Sequence, residues 1–253
     1  MLGVPALAAV WFGRPWFDLL VVAGAGVLAW EWGLVLAVPF VPGGLLALVA
    51  TGAALAAAAL GGGMVPALAL AAGGMLLVAA AVRVLGGERP LWQAAGVPYV
   101  ALPALALTWL RSDAPDGRLL VIWVFLVVWA TDVGAYAAGR GIGGVRLAPR
   151  LSPKKTWAGL AGGVAAGAAA GAAVFALLPG GAAPGPGAAA AALLAVAAQG
   201  GDLLESVIKR RFERKDSSAL IPGHGGLFDR VDGLLVAAPL AALVWAITAV
   251  GSG

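Results

Sequence analysis

The chain has 253 residues, 62% of them apolar and only 11% charged, with a mean hydropathy of +0.98. Ordinary soluble domains carry about 25% charged residues, so there is too little polar surface here to cover a core in water, and a polytopic membrane protein is the class that fits. The chain has no cysteine, which excludes disulfides and thiolate metal sites. The formal charge of +4 matters less than its distribution: eleven of the sixteen Lys and Arg lie in two short segments, 140–155 and 209–230.

A spanning helix needs about 20 mostly apolar residues. By that measure spans are predicted near 16–38, 43–60, 64–85, 90–110, 118–138, 157–178, 187–208 and 231–251. Residues 1–12 are apolar but short, a truncated span or an interfacial segment. Residues 1–13 carry no Lys or Arg and do not read as a cleaved signal peptide. The expected fold is an all-α polytopic membrane bundle of about eight to nine transmembrane helices. Residues 1–117 form its N-terminal helices, and residues 118–253 a catalytic set with cytoplasmic loops 139–156 and 209–230, all within one integrated membrane domain. Loops rich in Lys and Arg stay cytoplasmic, and two spans joined by the uncharged 179–187 separate the two basic segments, so both fall on the same side. Arg14, Arg111 and Arg118 fall on the outer side and depart from the rule.

The few polar residues within spans stand out, because an ionisable group there costs about 2.5–3.5 kcal/mol on insertion scales. Glu31, between Trp30 and Trp32, is isolated from other motifs and reads as structural. Asp132 has Tyr136 one turn later on the same face. It reads either as a carboxylate snorkelling to the interface or as a group facing a site. Residues 139–156, GRGIGGVRLAPRLSPKKT, combine glycines with cations. Ser152-Pro153 reads as a helix start, with Ser as N-cap and Lys154, Lys155 and Thr156 in the first turn. Cations there oppose the helix dipole unless an anion binds; anchoring on lipid headgroups is the alternative. In the next span Gly159, Gly163, Gly167 and Gly171 line one face. Packing within the monomer and packing across a homodimer both satisfy that pattern.

The densest chemistry lies in 199–232, QGGDLLESVIKRRFERKDSSALIPGHGGLFDRVD. Asp202, Glu205, Ser206 and Lys209 share one helical face. An exposed Glu205–Lys209 pair contributes only about 0.3–0.5 kcal/mol and leaves Asp202 unexplained. Asp229 and Asp232 open the final span, where acidic residues suit the dipole. Together Asp202, Asp229 and Asp232 read best as ligands for one or two hard cations, while Lys209, Arg210, Lys215 and Arg230 suit phosphate oxygens. His224, the only histidine, reads either as a turn residue or as a phosphate contact.

The order of these residues resembles the signature of the phosphatidate cytidylyltransferases: Ser206-x-Ile208-Lys209-Arg210, four residues, Lys215-Asp216-x-Ser218, then Ile221-Pro222-x-His224-Gly225-Gly226-Leu227-x-Asp229-Arg230-Val231-Asp232. Upstream, Asp132, Ala135, Tyr136, Ser152, Pro153, Lys155, Thr156 and Gly159 also match the family's pattern, whereas Ala158 stands where the family usually has a carboxylate or amide. The resemblance covers about residues 129–239. It implies an enzyme of the cell (inner) membrane that joins CTP to phosphatidate with Mg²⁺, giving CDP-diacylglycerol and pyrophosphate. The active site would face the cytoplasm; the partners would be CTP, phosphatidate and the bilayer, with no nucleic acid.

On that reading Asp202 and Asp229 are the first choice for Mg²⁺, with Asp232 and Glu205 as further ligands and room for a second cation. Asp202, Asp229, Lys209 and Arg230 are the catalytic set. Ser152, Lys155, Thr156, Ser206, Arg210, Lys215, Asp216, His224, Gly225, Gly226, Asp132 and Tyr136 line the substrate pocket. Two rival expectations are another CTP-dependent membrane enzyme, a polyprenol kinase or an archaeal lipid cytidylyltransferase, and an ion-coupled transporter using Asp132, Asp202 and Glu31. Transporter sites lie near mid-membrane, whereas these polar blocks cluster at one interface.

Overall fold

The computed structural model describes residues 3–58, 60, 63–114, 116–177, 184–223 and 225–250. Nine helices and one small hairpin run through them. In chain order they are α1 (Gly3–Phe12), α2 (Trp16–Leu36), α3 (Gly43–Ala57), α4 (Met64–Val84), α5 (Pro90–Asp113), α6 (Gly117–Gly141), β1 (Arg146–Ala148), β2 (Ser152–Thr156), α7 (Trp157–Leu177), α8 (Pro184–Arg211) and α9 (Phe228–Val250). The all-α membrane expectation holds: seven of the helices are long and apolar enough to cross a bilayer, and the molecule is an integral membrane protein. At 43–60 the α-helix is described over Gly43–Ala57, 15 residues or about 22 Å at 1.5 Å per residue, and residues 58 and 60 beyond it are also helical. The uncharged connection 179–187 falls largely outside the described residues.

Contacts group the chain into two units, 1–118 with 208–231, and 119–207 with 232–253. In the first, α2 to α5 pack through small residues. Ala54, Ala67, Ala71, Ala101 and Ala104 are buried with Leu55 and Leu105, and Gly74 lies where a Cβ would collide with Ala50. The signature segment 208–231 belongs to this unit rather than to residues 119–207. The three arginines that defy the charge rule have local partners here. Arg14 pairs with Asp18 at 3.2 Å, the Arg111 Nε donates to the Val10 carbonyl at 2.8 Å, and Arg118 lies 4.3 Å over the Trp11 ring.

In the second unit the glycine stripe of α7 is used within the chain. A Cβ on Gly159 would lie 3.0 Å from the Ala135 carbonyl of α6, and one on Gly163 would lie 2.9 Å from that of Thr131. On Gly167 it would meet Ala195 of α8 at 3.0 Å, and on Gly171 it would collide with Ala191. Helices α6 and α8 thus approach α7 at backbone distance.

The helix start expected at Ser152 is corrected. Residues 152–156 form strand β2, paired antiparallel with β1 so that Arg146 faces Thr156 and Ala148 faces Ser152. The N-cap is Thr156, whose Oγ1 accepts from the Gly159 N–H at 3.0 Å. Lys154 and Lys155 therefore precede the helix, and their conflict with its dipole disappears without any bound anion. The sequence Ser-Pro-Lys-Lys-Thr holds both an early Ser and a late Thr able to cap. Pairing with β1 decides between them, because it keeps residues 152–156 extended.

Candidate active site

The signature segment is framed by two buried carboxylates. Asp229, at the start of α9, accepts four hydrogen bonds: from Lys209 Nζ at 2.6 Å, the Ser217 N–H at 3.0 Å, the Ser217 Oγ at 2.8 Å and the Gly226 N–H at 2.8 Å. It therefore ties the end of α8, the loop and the glycine turn together. The Gly225 φ is +80°, and a Cβ there would press within 2.6 Å of Asp229 Oδ2. A Cβ on Gly226 would collide with both Ser217 Oγ and Glu31 Oε1. The two glycines are needed because the carboxylates occupy the room a side chain would take.

The second carboxylate is Glu31, and here the expectation that it is isolated from other motifs is corrected. Glu31 is fully buried. Its Oε1 accepts from Ser218 Oγ at 2.5 Å and the Leu227 N–H at 2.9 Å, and its Oε2 accepts from the Phe228 N–H at 2.7 Å. A side chain of α2 thus satisfies N–H groups at the start of α9 that have no partner within that helix. An aromatic cluster holds the same segment. Phe228 stacks on Tyr99 with centroids 5.4 Å apart and on Trp32 at 6.0 Å. Phe212 meets Trp92 edge-on at 5.1 Å, beneath the Arg89 guanidinium. The signal in the sequence was the insertion cost of a charge within a span; its partner, about 190 residues away, could not be read from local pattern.

Against this frame Arg210, Lys215, Asp216 and Arg230 are exposed. His224 lies outside the described residues.

The second unit gathers the other acidic groups. Lys155 of β2 bridges to Asp202 of α8 at 2.6 Å and donates to the Gln199 carbonyl at 3.4 Å. Glu205 is buried and Ser206 half-buried on the same helix. Asp232 lies within Coulombic range of Asp202, Glu205 and Asp132. Close helix packing brings this about: a Cβ on Gly201 would lie 2.6 Å from the Asp232 carbonyl, and one on Gly233 3.2 Å from Ala198. Asp132 itself is exposed on α6, and Tyr136, also exposed, accepts from Arg140 Nη1 at 2.9 Å. Ser152 and Thr156 are half-buried on β2. Among the described residues no three Asp, Glu or His side chains converge at ion-binding distance. The donor set is nonetheless of the hard-oxygen kind that Mg²⁺ prefers, and like charges crowd around Asp232.

The chain is 48% identical over 160 residues to the phosphatidate cytidylyltransferase of Brucella suis biovar 1 (strain 1330), covering 62% of this chain and 58% of that protein. It is 41% identical over 169 residues to the phosphatidate cytidylyltransferase of Pseudomonas aeruginosa PAO1, covering 61% and 58%. With the protein of that name from Mycobacterium leprae (strain TN) it shares 39% over 152 residues, covering 60% and 46%. The chain spans little more than half the length of the curated relatives it matches. The model of the Cytidylyltransferase family matches residues 1–248, nearly the whole chain, and the protein therefore belongs to that family.

Proposed function

We propose that this membrane protein transfers the cytidylyl group of CTP to phosphatidate, giving CDP-diacylglycerol and pyrophosphate, at the cytoplasmic face of the cell membrane. The observation that carries the reading is the signature segment. Asp229 and Glu31 bind its internal donors and tie its ends together, while the side chains of Arg210, Lys215 and Arg230 are exposed. Fixed backbone with exposed cations is the arrangement a polyphosphate needs.

The chemistry needs little else. A phosphate monoester has its second pKa near ~6 and is already nucleophilic at neutral pH, so no general base and no covalent intermediate are required. Its oxygen attacks the α-phosphorus of CTP in line, the bond to the bridging oxygen breaks, and pyrophosphate carries away the electron pair. Two unit charges at ~4 Å repel by about 4 kcal/mol at an effective dielectric of ~20, and Arg210, Lys215, Arg230 and Lys209 lower that barrier. Ser152, Lys155 and Thr156 are the second group of phosphate-binding residues. Asp202, Asp232 and Glu205 would hold Mg²⁺, which when bound supplies positive charge to the phosphates. Asp229, the other candidate Mg²⁺ ligand, also organises the loop around Lys209.

Purified protein with labelled CTP, Mg²⁺ and phosphatidate should release pyrophosphate and form a liponucleotide. Turnover with an isoprenoid alcohol but not with phosphatidate would replace this reading with the kinase. Solute flux into liposomes without CTP turnover would replace it with a transporter.

A further inference from the structure

We infer that Glu31 is a positioning residue for nucleotide binding: from α2, outside the signature, it fixes the register of the loop–α9 junction whose neighbouring cations bind phosphate. The inference rests on the reading above for its kinetics, but not for its structural readout.

Three donors from the signature segment converge on one fully buried carboxylate. Two of them, the Leu227 N–H just before α9 and the Phe228 N–H at its first residue, lie directly ahead of Asp229 and Arg230. The third, Ser218 Oγ, comes from the other end of the loop and also accepts from the Leu220 N–H at 3.1 Å. Glu31 therefore spans the loop from 218 to 228, while Asp229 spans it from 209 to 226. Neither clamp duplicates the other, because they hold different donors. Glu31 is fully buried, its chain neighbour Trp32 and its hydrogen-bond partner Phe228 both belong to the ring stack with Tyr99, and an unmatched polar group so buried is costly. The carboxylate form is needed because all three partners donate. A carboxamide at this position, turned either way, sets an N–H₂ against a backbone N–H.

The test is Glu31→Gln in the full-length protein, with Glu31→Asp and Ser218→Ala beside it. Amide exchange at Leu227 and Phe228 should quicken at least ~10-fold in Glu31→Gln, because a buried donor facing a donor opens more readily. In the CTP assay kcat/KM for CTP should fall by about 10²-fold, the scale of a ~1 Å misplacement, while the KM for phosphatidate stays within about twofold. A merely destabilising change would move both substrates together. Ser218→Ala should fall in the same direction but less far, and the double variant should be no worse than Glu31→Gln. Glu31→Asp, still all-acceptor but shorter, should recover part of the loss. Unchanged exchange at 227 and 228, or equal losses for both substrates, would overturn the inference. Quickened exchange in a protein whose wild type makes no liponucleotide would leave Glu31 as the loop clamp and overturn the cytidylyltransferase reading alone.

Discussion

Asp229→Asn is the perturbation whose size the structure defines best. The Asp229 and Lys209 side chains are only 8% and 13% exposed, so solvent screens their bridge little. An amide nitrogen placed at Oδ1 would face the Lys209 ammonium at 2.6 Å, donor against donor. Breaking a buried pair in this way costs about 3–5 kcal/mol. Turned over, the same nitrogen would face the Ser217 and Gly226 N–H groups, each worth about 1–3 kcal/mol when left unmatched. The two orientations give similar totals, and about 3 kcal/mol is a fair lower figure. The loss is local to the loop, so helical content should survive, while opening of the loop rises by about 10²-fold at 1.4 kcal/mol per decade. Hydrogen exchange at Ser217 and Gly226 in detergent-solubilised protein reads this directly, and CTP turnover should be abolished in the same sample. Exchange within about threefold of wild type would refute the reasoning, because Asp229 would then not be what holds the loop.

Two further outcomes follow from the second unit. Asp232→Asn should abolish the stabilisation that added Mg²⁺ gives the wild type. Equal Mg²⁺ responses in the two proteins would remove Asp232 from the proposed cation set. Gly171→Val should lower thermal stability by about 1–3 kcal/mol through overpacking, since its side chain would strike Ala191. Gly200→Ala, where a Cβ meets nothing within 4 Å, is the sterically open control and should hold or raise the melting temperature, since Ala is favoured over Gly in a helix by about 0.5–1 kcal/mol.

Much of this protein is written locally in its sequence. Apolar runs of about 20 residues declare spanning helices whatever surrounds them, because lipid demands that each segment satisfy its own backbone. The signature of residues 206–232 likewise announces itself, since its polar residues have few other reasons to occur at fixed spacing.

Only the tertiary structure could decide which donors meet which acceptors. Lys209 reaches Asp229 across 20 residues, and Glu31 reaches Ser218 across 187. Ser152 lost the capping role to Thr156 because a neighbouring strand held it extended, and the α7 glycines turned inward to α6 and α8. In each case the residue type was suited to several partners. Periodicity along one helix specifies which residues share a face, but the partner arrives from another part of the chain, and packing alone selects it.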